Sequence, residues 1–272
     1  MTAPAAVGVF GGSGFYSFLD DVETVELETP FGAPSAPVTI GDIEGTRVAF
    51  LPRHGRDHQF APHAIPAKAN LWAMRMLGVH SIVGPCAAGS LNASIAPGDF
   101  VVLDQLVDRT HGRPDTYYDR GEPHHVAFAD PYCGAISPIV VDTARELGVT
   151  VHPTGTVVAI QGPRFSTRAE SRWYRAQQWD VVNMTQYPEA YLARELGIHY
   201  AGIALITDYD TGVEDDPSVV PVTQEQVFEF FEENVHRIRD LLVALVPRLP
   251  AHPKGCTCSD AIGPLRDNPA PA

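Results

Sequence analysis

Three short stretches combine small residues with groups able to hold an anion. Gly11-Gly12-Ser13-Gly14 follows the apolar run "AVGVF", and three glycines around one hydroxyl allow a backbone to bend closely about a ligand. Arg53-His54-Gly55, in "LPRHGRDHQ", offers a planar fork for two oxyanion oxygens, an imidazole as a third donor, and a glycine that lets the chain close on the ion. In "GPCAAGSLN", residues 84–92, small side chains around Cys86 and Ala87 leave backbone N–H groups accessible. Phosphate is the ligand common to all three. A dinucleotide is excluded by spacing, because Gly12-Ser13-Gly14-Phe15-Tyr16-Ser17 lacks the third glycine and residues 15–37 carry three prolines instead of a helix. No lysine follows the glycines, so a nucleoside-triphosphate loop is excluded too.

Two further stretches carry groups suited to an organic ligand. "QGPRFSTRAES" holds Phe165 in a Gly-Pro-flanked loop just before a helix cap. "ITDYD" sets Asp208 and Asp210 two residues apart, on one side of the chain if it stays extended. Such a pair serves as metal ligands, as a general acid and its partner, or as solvated turn residues. Cys256-Thr-Cys258 fits a small disulfide or half of a metal site, but no second Cys or His pair stands at zinc-finger spacing, so two reduced thiols and no metal are expected.

The elements that must position these groups follow from periodicity. Short β-branched runs at 7–10, 47–52, 81–85, 100–107, 155–160, 180–184 and 200–206 predict strands, several apolar on consecutive positions and so buried on both faces. Helices fit between them: 65–77 ending at Gly78, "SPIVVDTAREL" ending at Gly148, one opening on the capping box Thr167-x-x-Glu170, one from Pro188 to Gly197, and a last one opening on Thr223-x-x-Gln226. That last helix presents Val227, Phe231, Val235, Ile238, Leu242 and Leu245 as a core stripe. The expected fold is a single α/β domain over residues 7–250, with a mixed, mostly parallel central sheet flanked by helices. Residues 1–6 and the Cys-x-Cys tail, 251–272, are expected to be flexible, and the aperiodic stretch 110–132 to be a functional or interface loop.

The chain has 272 residues with 19 Lys and Arg against 33 Asp and Glu, and its net charge of -14 repels a polyanion. Nucleic acid is therefore excluded as a partner, while one buried arginine among backbone donors still binds a small phosphate. No apolar run approaches a membrane span and the N-terminus lacks a basic signal region, so a cytoplasmic protein with no membrane partner is expected.

The motifs "GVFGGSGFY", "TPFGAPSAP", "LPRHGRDHQ", "CAAGSL", "QLVDRT", "ADPYC", "QGPRFSTRAES", "VVNMTQYPEA" and "ITDYD", in order over residues 7–246, resemble the trimeric purine nucleoside phosphorylases, in their methylthioadenosine-cleaving branch. The resemblance implies phosphorolysis of 5′-methylthioadenosine, or of methylthioinosine or a broader set of purine nucleosides. Inorganic phosphate is then a co-substrate and no cofactor is needed. It implies phosphate contacts from Ser13, Arg53, His54, Cys86, Ala87 and Thr185, with Cys86 standing where the family often has Thr. Ile160, Phe165, Ser166 and Met184 match nucleoside contacts, and Asp208 and Asp210 match the readers of N7 and of the exocyclic amine, with the Asp208 pKa raised by burial and by repulsion from Asp210. His125, reaching across from a neighbouring subunit of a homotrimer or dimer of trimers, and Gln224, Val227 and Phe228 match the 5′-group pocket; Gln224 replaces a usually apolar residue.

Overall fold

Consecutive β-branched residues favour extended chain, and buried N–H and C=O groups oblige that chain to pair. The computed structural model of the protein describes residues 4–12, 15, 19, 21–119, 121, 123–211 and 220–266. Its strands are β1 (Val7–Gly11), β2 (Glu23–Val25), β3 (Val38–Ile43), β4 (Thr46–Pro52), β5 (Ser81–Ser90), β6 (Phe100–Val102), β7 (Gln105–Arg109), β8 (Val151–His152), β9 (Thr156–Ile160), β10 (Val181–Asn183) and β11 (His199–Asp208). The helices are α1 (Ala67–Met76), α2 (Ser137–Glu146), α3 (Arg168–Ala176), α4 (Gln186–Glu195) and α5 (Gln224–Leu245).

All the strands join one mixed sheet, and β5 is its fork. The first residues of β5 pair in parallel with β1, through Val83, while Gly89 and Ser90 pair antiparallel with β10; β11 runs parallel along the opposite edge of β5 from Ser81 to Gly89. Between the end of the β1 ladder and the start of the β10 ladder, one edge of β5 is left without a strand partner, across residues 84–88. Side chains take two of its carbonyls: Arg53 Nη1 donates to Pro85 O at 2.8 Å and Gln186 Nε2 to Gly84 O at 3.2 Å. Cys86 and Ala87 therefore lie inside a long strand, not in a loop beyond a strand ending at 85.

Alternation along the strands feeds two cores. Ala49 and Leu51 of β4 face the cluster holding Leu71, Met74, Leu192 and Leu196 of the α1–α4 layer, while Val48 and Phe50 face the cluster holding Val140, Phe231, Leu242 and Leu245 of the α2–α5 layer. Both expected capping boxes are present: Thr167 Oγ1 accepts the Glu170 N–H at 3.2 Å and Thr223 Oγ1 accepts the Gln226 N–H at 3.3 Å. The expected strand 100–107 is broken at Leu103 and Asp104, because β6 belongs to the β11 branch and β7 to the β9 branch, so the chain must cross between them.

The C-terminal segment also departs from expectation. Residues 251–266 lie against the domain: Cys258 and Leu265 are buried, Tyr118 Oη donates to Ile262 O at 2.7 Å, and Arg75 donates to Leu265 O. Among the described residues no helix is long and apolar enough to cross a membrane. The α5 layer rests on Phe231, which is fully buried against the sheet. Phe231→Ala is expected to lower unfolding stability by about 3–5 kcal/mol, read as a lower urea midpoint with an unchanged slope.

Candidate active site

The carboxyl ends of β1, β4, β9, β10 and β11 and the unpaired edge of β5 meet around one cleft of about 160 Å³. Strand ends are where α/β sheets leave backbone groups and loops free for a ligand.

One end of the cleft gathers hydrogen-bond donors around a buried arginine. Arg53 follows β4 and is wholly buried; its Nε donates to Glu189 Oε1 at 2.6 Å and its Nη2 to Glu189 Oε2 at 3.1 Å. Burial alone would disfavour the guanidinium charge, but the paired Glu189 carboxylate outweighs it and keeps Arg53 protonated. With Nη1 on Pro85 O, the remaining N–H hydrogens are directed by a fork fixed on three sides. Gly12 lies so close that an added Cβ would sit 3.1 Å from Arg53 Nη1, which accounts for glycine there. Thr185, at the start of α4, is aimed by Asn183, whose Oδ1 accepts the Thr185 and Gln186 N–H groups, both at 3.0 Å. Asn183 Nδ2 also donates to Thr185 Oγ1 at 3.2 Å, leaving the Thr185 hydroxyl hydrogen for a ligand. Burial pushes the Cys86 thiol up to about 12, so it offers a weak S–H donor and no charge.

His54 differs from its expected role as a simple donor. Its Nδ1 lies 2.8 Å from Phe60 O, and a carbonyl can only accept, so Nδ1 carries the hydrogen and Nε2 is an acceptor while the ring is neutral. Burial holds the ring neutral, with its pKa lowered to about 4. The His54 ring stacks on His58 at 4.4 Å, and His58 meets Phe228 edge-on at 5.4 Å.

The opposite end carries the two carboxyls. Thr207 Oγ1 donates to Asp208 Oδ2 at 2.6 Å and the Asp210 N–H to Asp208 Oδ1 at 2.6 Å. Burial pushes the Asp208 pKa up to about 6 against these two hydrogen bonds, and repulsion from Asp210 is the smallest contribution. Burial also raises the Asp210 pKa. The chain is not extended here: β11 is irregular between Ile206 and Asp208, and Asp210 sits at φ 55°, so a turn, not strand alternation, brings both carboxyls to the cleft. Gly89 makes room, since a Cβ there would meet Asp208 Oδ1 at 2.9 Å. Among the described residues, Asp210 Oδ2, Ser166 Oγ and Ser171 Oγ are buried polar atoms without a closely aligned hydrogen bond, and the two hydroxyls stand near enough to the Asp210 carboxylate to favour its charged form.

Of the residues singled out in the sequence, Arg53, His54, Cys86, Ala87, Ile160, Phe165, Met184, Thr185, Asp208, Asp210, Gln224, Val227 and Phe228 line this one cleft. Ser166 stands behind Asp210 instead of on the wall, and His125 is exposed and does not line it. Ser13 lies outside the described residues. Sequence reasoning missed Glu189, although a buried arginine demands a carboxylate and Glu189 lies in the quoted stretch "VVNMTQYPEA". It also missed Arg113, which donates to Met184 O at 2.9 Å, Tyr187 O at 2.5 Å, Ile160 O at 3.2 Å and Gln161 O at 2.9 Å, fastening two walls of the cleft together.

A forked mixed sheet whose strand ends bring a buried arginine and two carboxyls to one cleft defines a phosphorylase-type α/β protein. The profile of the Phosphorylase superfamily matches residues 6–247, and the chain belongs to that superfamily. It is 54% identical to the S-methyl-5′-thioadenosine phosphorylase of Mycolicibacterium smegmatis over 87% of this chain and 88% of that one. It is 48% identical to the purine nucleoside phosphorylase of Streptomyces coelicolor over 95% of each. The solved structure of methylthioadenosine phosphorylase from Schistosoma mansoni in complex with adenine superposes with a TM-score of 0.86 at 36% identity, covering 91% of this chain and 93% of that one.

The Asp208 pKa has a stability consequence. The native carboxyl holds its proton more tightly than the unfolded one, so its contribution is complete below its ordinary pKa of 3.8 and is lost as pH rises through about 6. Asp208→Asn is therefore expected to raise the melting temperature at about pH 8, with the gain shrinking toward about pH 4. A loss of equal size across that range would show that the buried charge is not destabilising.

Proposed function

We propose that the protein catalyses phosphorolysis of 5′-methylthioadenosine to adenine and 5-methylthioribose 1-phosphate, a step of methionine and purine salvage. The observation that carries the reading is the pairing, in one cleft, of a buried carboxyl poised near pH 6 with a guanidinium fork at the far end. Phosphate sits against Arg53, His54, Cys86, Ala87 and Thr185, and the family resemblance adds the Ser13 hydroxyl to these contacts. Ile160, Phe165 and Met184 hold the nucleoside, and Ser166 supports Asp210 at the base.

A phosphate oxygen forms a bond to C1′ as the bond from C1′ to N9 breaks and its electron pair passes to the purine. The sugar carries positive charge near the transition state, stabilised by the adjacent phosphate. Asp208 donates its proton to N7, and Asp210 accepts from the exocyclic amine, filling the unpartnered Oδ2. The proton balance closes on phosphate: the hydrogen it carries in is absent from the sugar phosphate and is released to water, from which the Asp208 carboxylate is reprotonated before the next turnover. The neutral His54 ring, with Nε2 as an acceptor, is suited to that hydrogen. No organic cofactor takes part.

Val227 and Phe228 receive the methylthio group, and His125 reaches it from a neighbouring subunit of a homotrimer. Gln224 on the same wall favours a second reading, in which adenosine and other purine nucleosides are also accepted. The kinship to a protein named purine nucleoside phosphorylase supports that breadth.

An assay of methylthioadenosine, adenosine, methylthioinosine and inosine, each with and without phosphate, separates these readings. Methylthioadenosine is expected to disappear only when phosphate is present; equal consumption in phosphate-free buffer would end the proposal, and a preference for the inosine forms would reassign Asp210. Asp208→Asn is expected to lower turnover by about 10²-fold. Turnover near that of the unaltered protein would remove Asp208 from its acid role.

A further inference from the structure

Outside the cleft, the fold gathers four metal-binding side chains that lie far apart in sequence. Cys133 precedes α2, His199 opens β11, and Cys256 and Cys258 come from the C-terminal segment. Their donor atoms all lie within 4.8 Å of one another, with His199 Nδ1 3.4 Å from Cys133 Sγ and 3.3 Å from Cys256 Sγ. A tetrahedral zinc ion, with Zn–S of about 2.3 Å and Zn–N of about 2.0 Å, sets its ligands about 3.5 Å apart for S to N and about 3.8 Å for S to S. The two separations from His199 Nδ1 are of that size, and no pair in the cluster lies beyond 4.8 Å. The Cys-x-Cys pair that lacked a partner at zinc-finger spacing thus finds one from two other elements.

We propose that Cys133, His199, Cys256 and Cys258 bind one zinc ion in a closed structural site that fastens the C-terminal segment to the domain.

Three observations favour this over other uses of the same residues. Donor chemistry comes first: three sulfurs and an imidazole suit a borderline-soft ion and not calcium or magnesium, and four protein ligands leave no open position for catalysis. Stoichiometry comes second. A disulfide would use two of the three thiols and leave a third sulfur and an imidazole packed against it, whereas zinc employs all four groups, and all three cysteines are free thiols. Charge comes third. Three thiolates around a dication leave one net negative charge, and Arg194 lies beside it, with Nη1 3.1 Å from Cys258 Sγ. Arg194 is buried, its other acceptors are the neutral Thr257 Oγ1 at 2.7 Å and Ala127 O at 3.4 Å, and among the described residues no carboxylate pairs with it. The N–H groups of Ala135 and Ile136 point at the Cys133 sulfur as well, as second-layer donors to a metal-bound thiolate do. On binding, the three thiols release their protons to water; no electron moves and the zinc stays divalent.

The consequence is mechanical. Cys258 begins the last 3-10 segment, Cys258–Arg266, in which Ile262 O accepts from Tyr118 and Gly263 lies against His124. Zinc thereby holds the segment that backs the loop carrying His124 and His125.

The test is metal analysis of protein purified under reducing conditions without chelator, and again after incubation with zinc chloride and desalting. About one zinc per chain is expected, released in step with thiol modification by an organomercurial, and falling below about a tenth in the Cys256→Ser/Cys258→Ser variant. Replacement by cobalt(II) is expected to give the visible ligand-field bands of a tetrahedral thiolate site. Because this readout uses the unaltered protein, a variant that fails to fold leaves the test intact. Absence of bound zinc after incubation, a non-reduced mass short by two hydrogens, or zinc retained in a folded double variant would each overturn the assignment.

Discussion

The buried ion pair of Arg53 and Glu189 is the constraint on which the cleft depends. A guanidinium with no solvent exposure is tolerable only where its charge is matched, and Glu189 matches it in a two-pronged contact that takes two of its five hydrogens. Tyr200 Oη donates to Glu189 Oε2 at 2.8 Å, and Arg53 donates to Pro85 O, so one polar knot joins the end of β4, the free edge of β5, α4 and β11. Replacing such a pair by apolar residues often leaves stability unchanged, so what the pair contributes is position. It also sets the charge of the site. Since Glu189 already neutralises Arg53, a phosphate bound as proposed meets donors without a large excess of positive charge. Under the proposed reaction its negative charge is then free to act on the sugar cation, which exists only near the transition state, and this is where binding energy raises turnover.

The opposite end uses burial in place of pairing. Asp208 and Asp210 are adjacent carboxyls, yet removal from water, not mutual repulsion, is what lifts Asp208 to about 6. Thr207 and the Asp210 N–H partly oppose that lift while fixing the carboxyl's orientation. The left-handed backbone at Asp210 is held by its surroundings: Arg168 Nη1 donates to Thr211 O at 2.9 Å, Arg175 Nη2 to Tyr209 O at 3.3 Å, and the Val222 N–H to Asp210 O at 3.0 Å. Asp210 Oδ2 lacks a closely aligned donor inside that frame, and a ligand edge able to donate to the carboxylate would supply one.

Much of this was legible in the sequence because it is local. The capping boxes at Thr167 and Thr223, the strand ends before Arg53 and Asp208, and the helix stops at Gly78, Gly148 and Gly197 depend on neighbours within a turn or two. The fork of β5 was not legible, because an apolar run does not tell which strand pairs with which half of it. Cys86 and Ala87 thus looked like loop residues. Glu189 and Arg113 act across 136 and up to 74 residues of chain, and no period marks such partners. Charge accounting alone would have asked for Glu189. The metal-type cluster escaped for the same reason: a spacing rule sees Cys256 and Cys258 but not His199, which only the start of β11 brings beside them.

Helix α4 connects these long-range contacts. A helix that packs between the sheet and α1 would ordinarily be apolar on its buried side, yet Gln186, Glu189, Arg194 and Glu195 are all buried. Each reaches a different part of the molecule: Gln186 the open edge of β5 and Tyr132, Glu189 the cleft arginine, Arg194 the C-terminal segment, and Glu195 the loop through Thr116 Oγ1 at 2.6 Å and the Tyr117 N–H at 2.7 Å. Residues 113–117 are held against the domain by these side-chain contacts and by Arg113. Glu189 and Arg194 are separated by about 7.5 Å of helix rise, so the partner of the cleft arginine and the contact to the last segment share one rigid element. The position of α4 along its axis is therefore set from both ends, by an ion pair in the cleft and by the sulfur cluster at the far side.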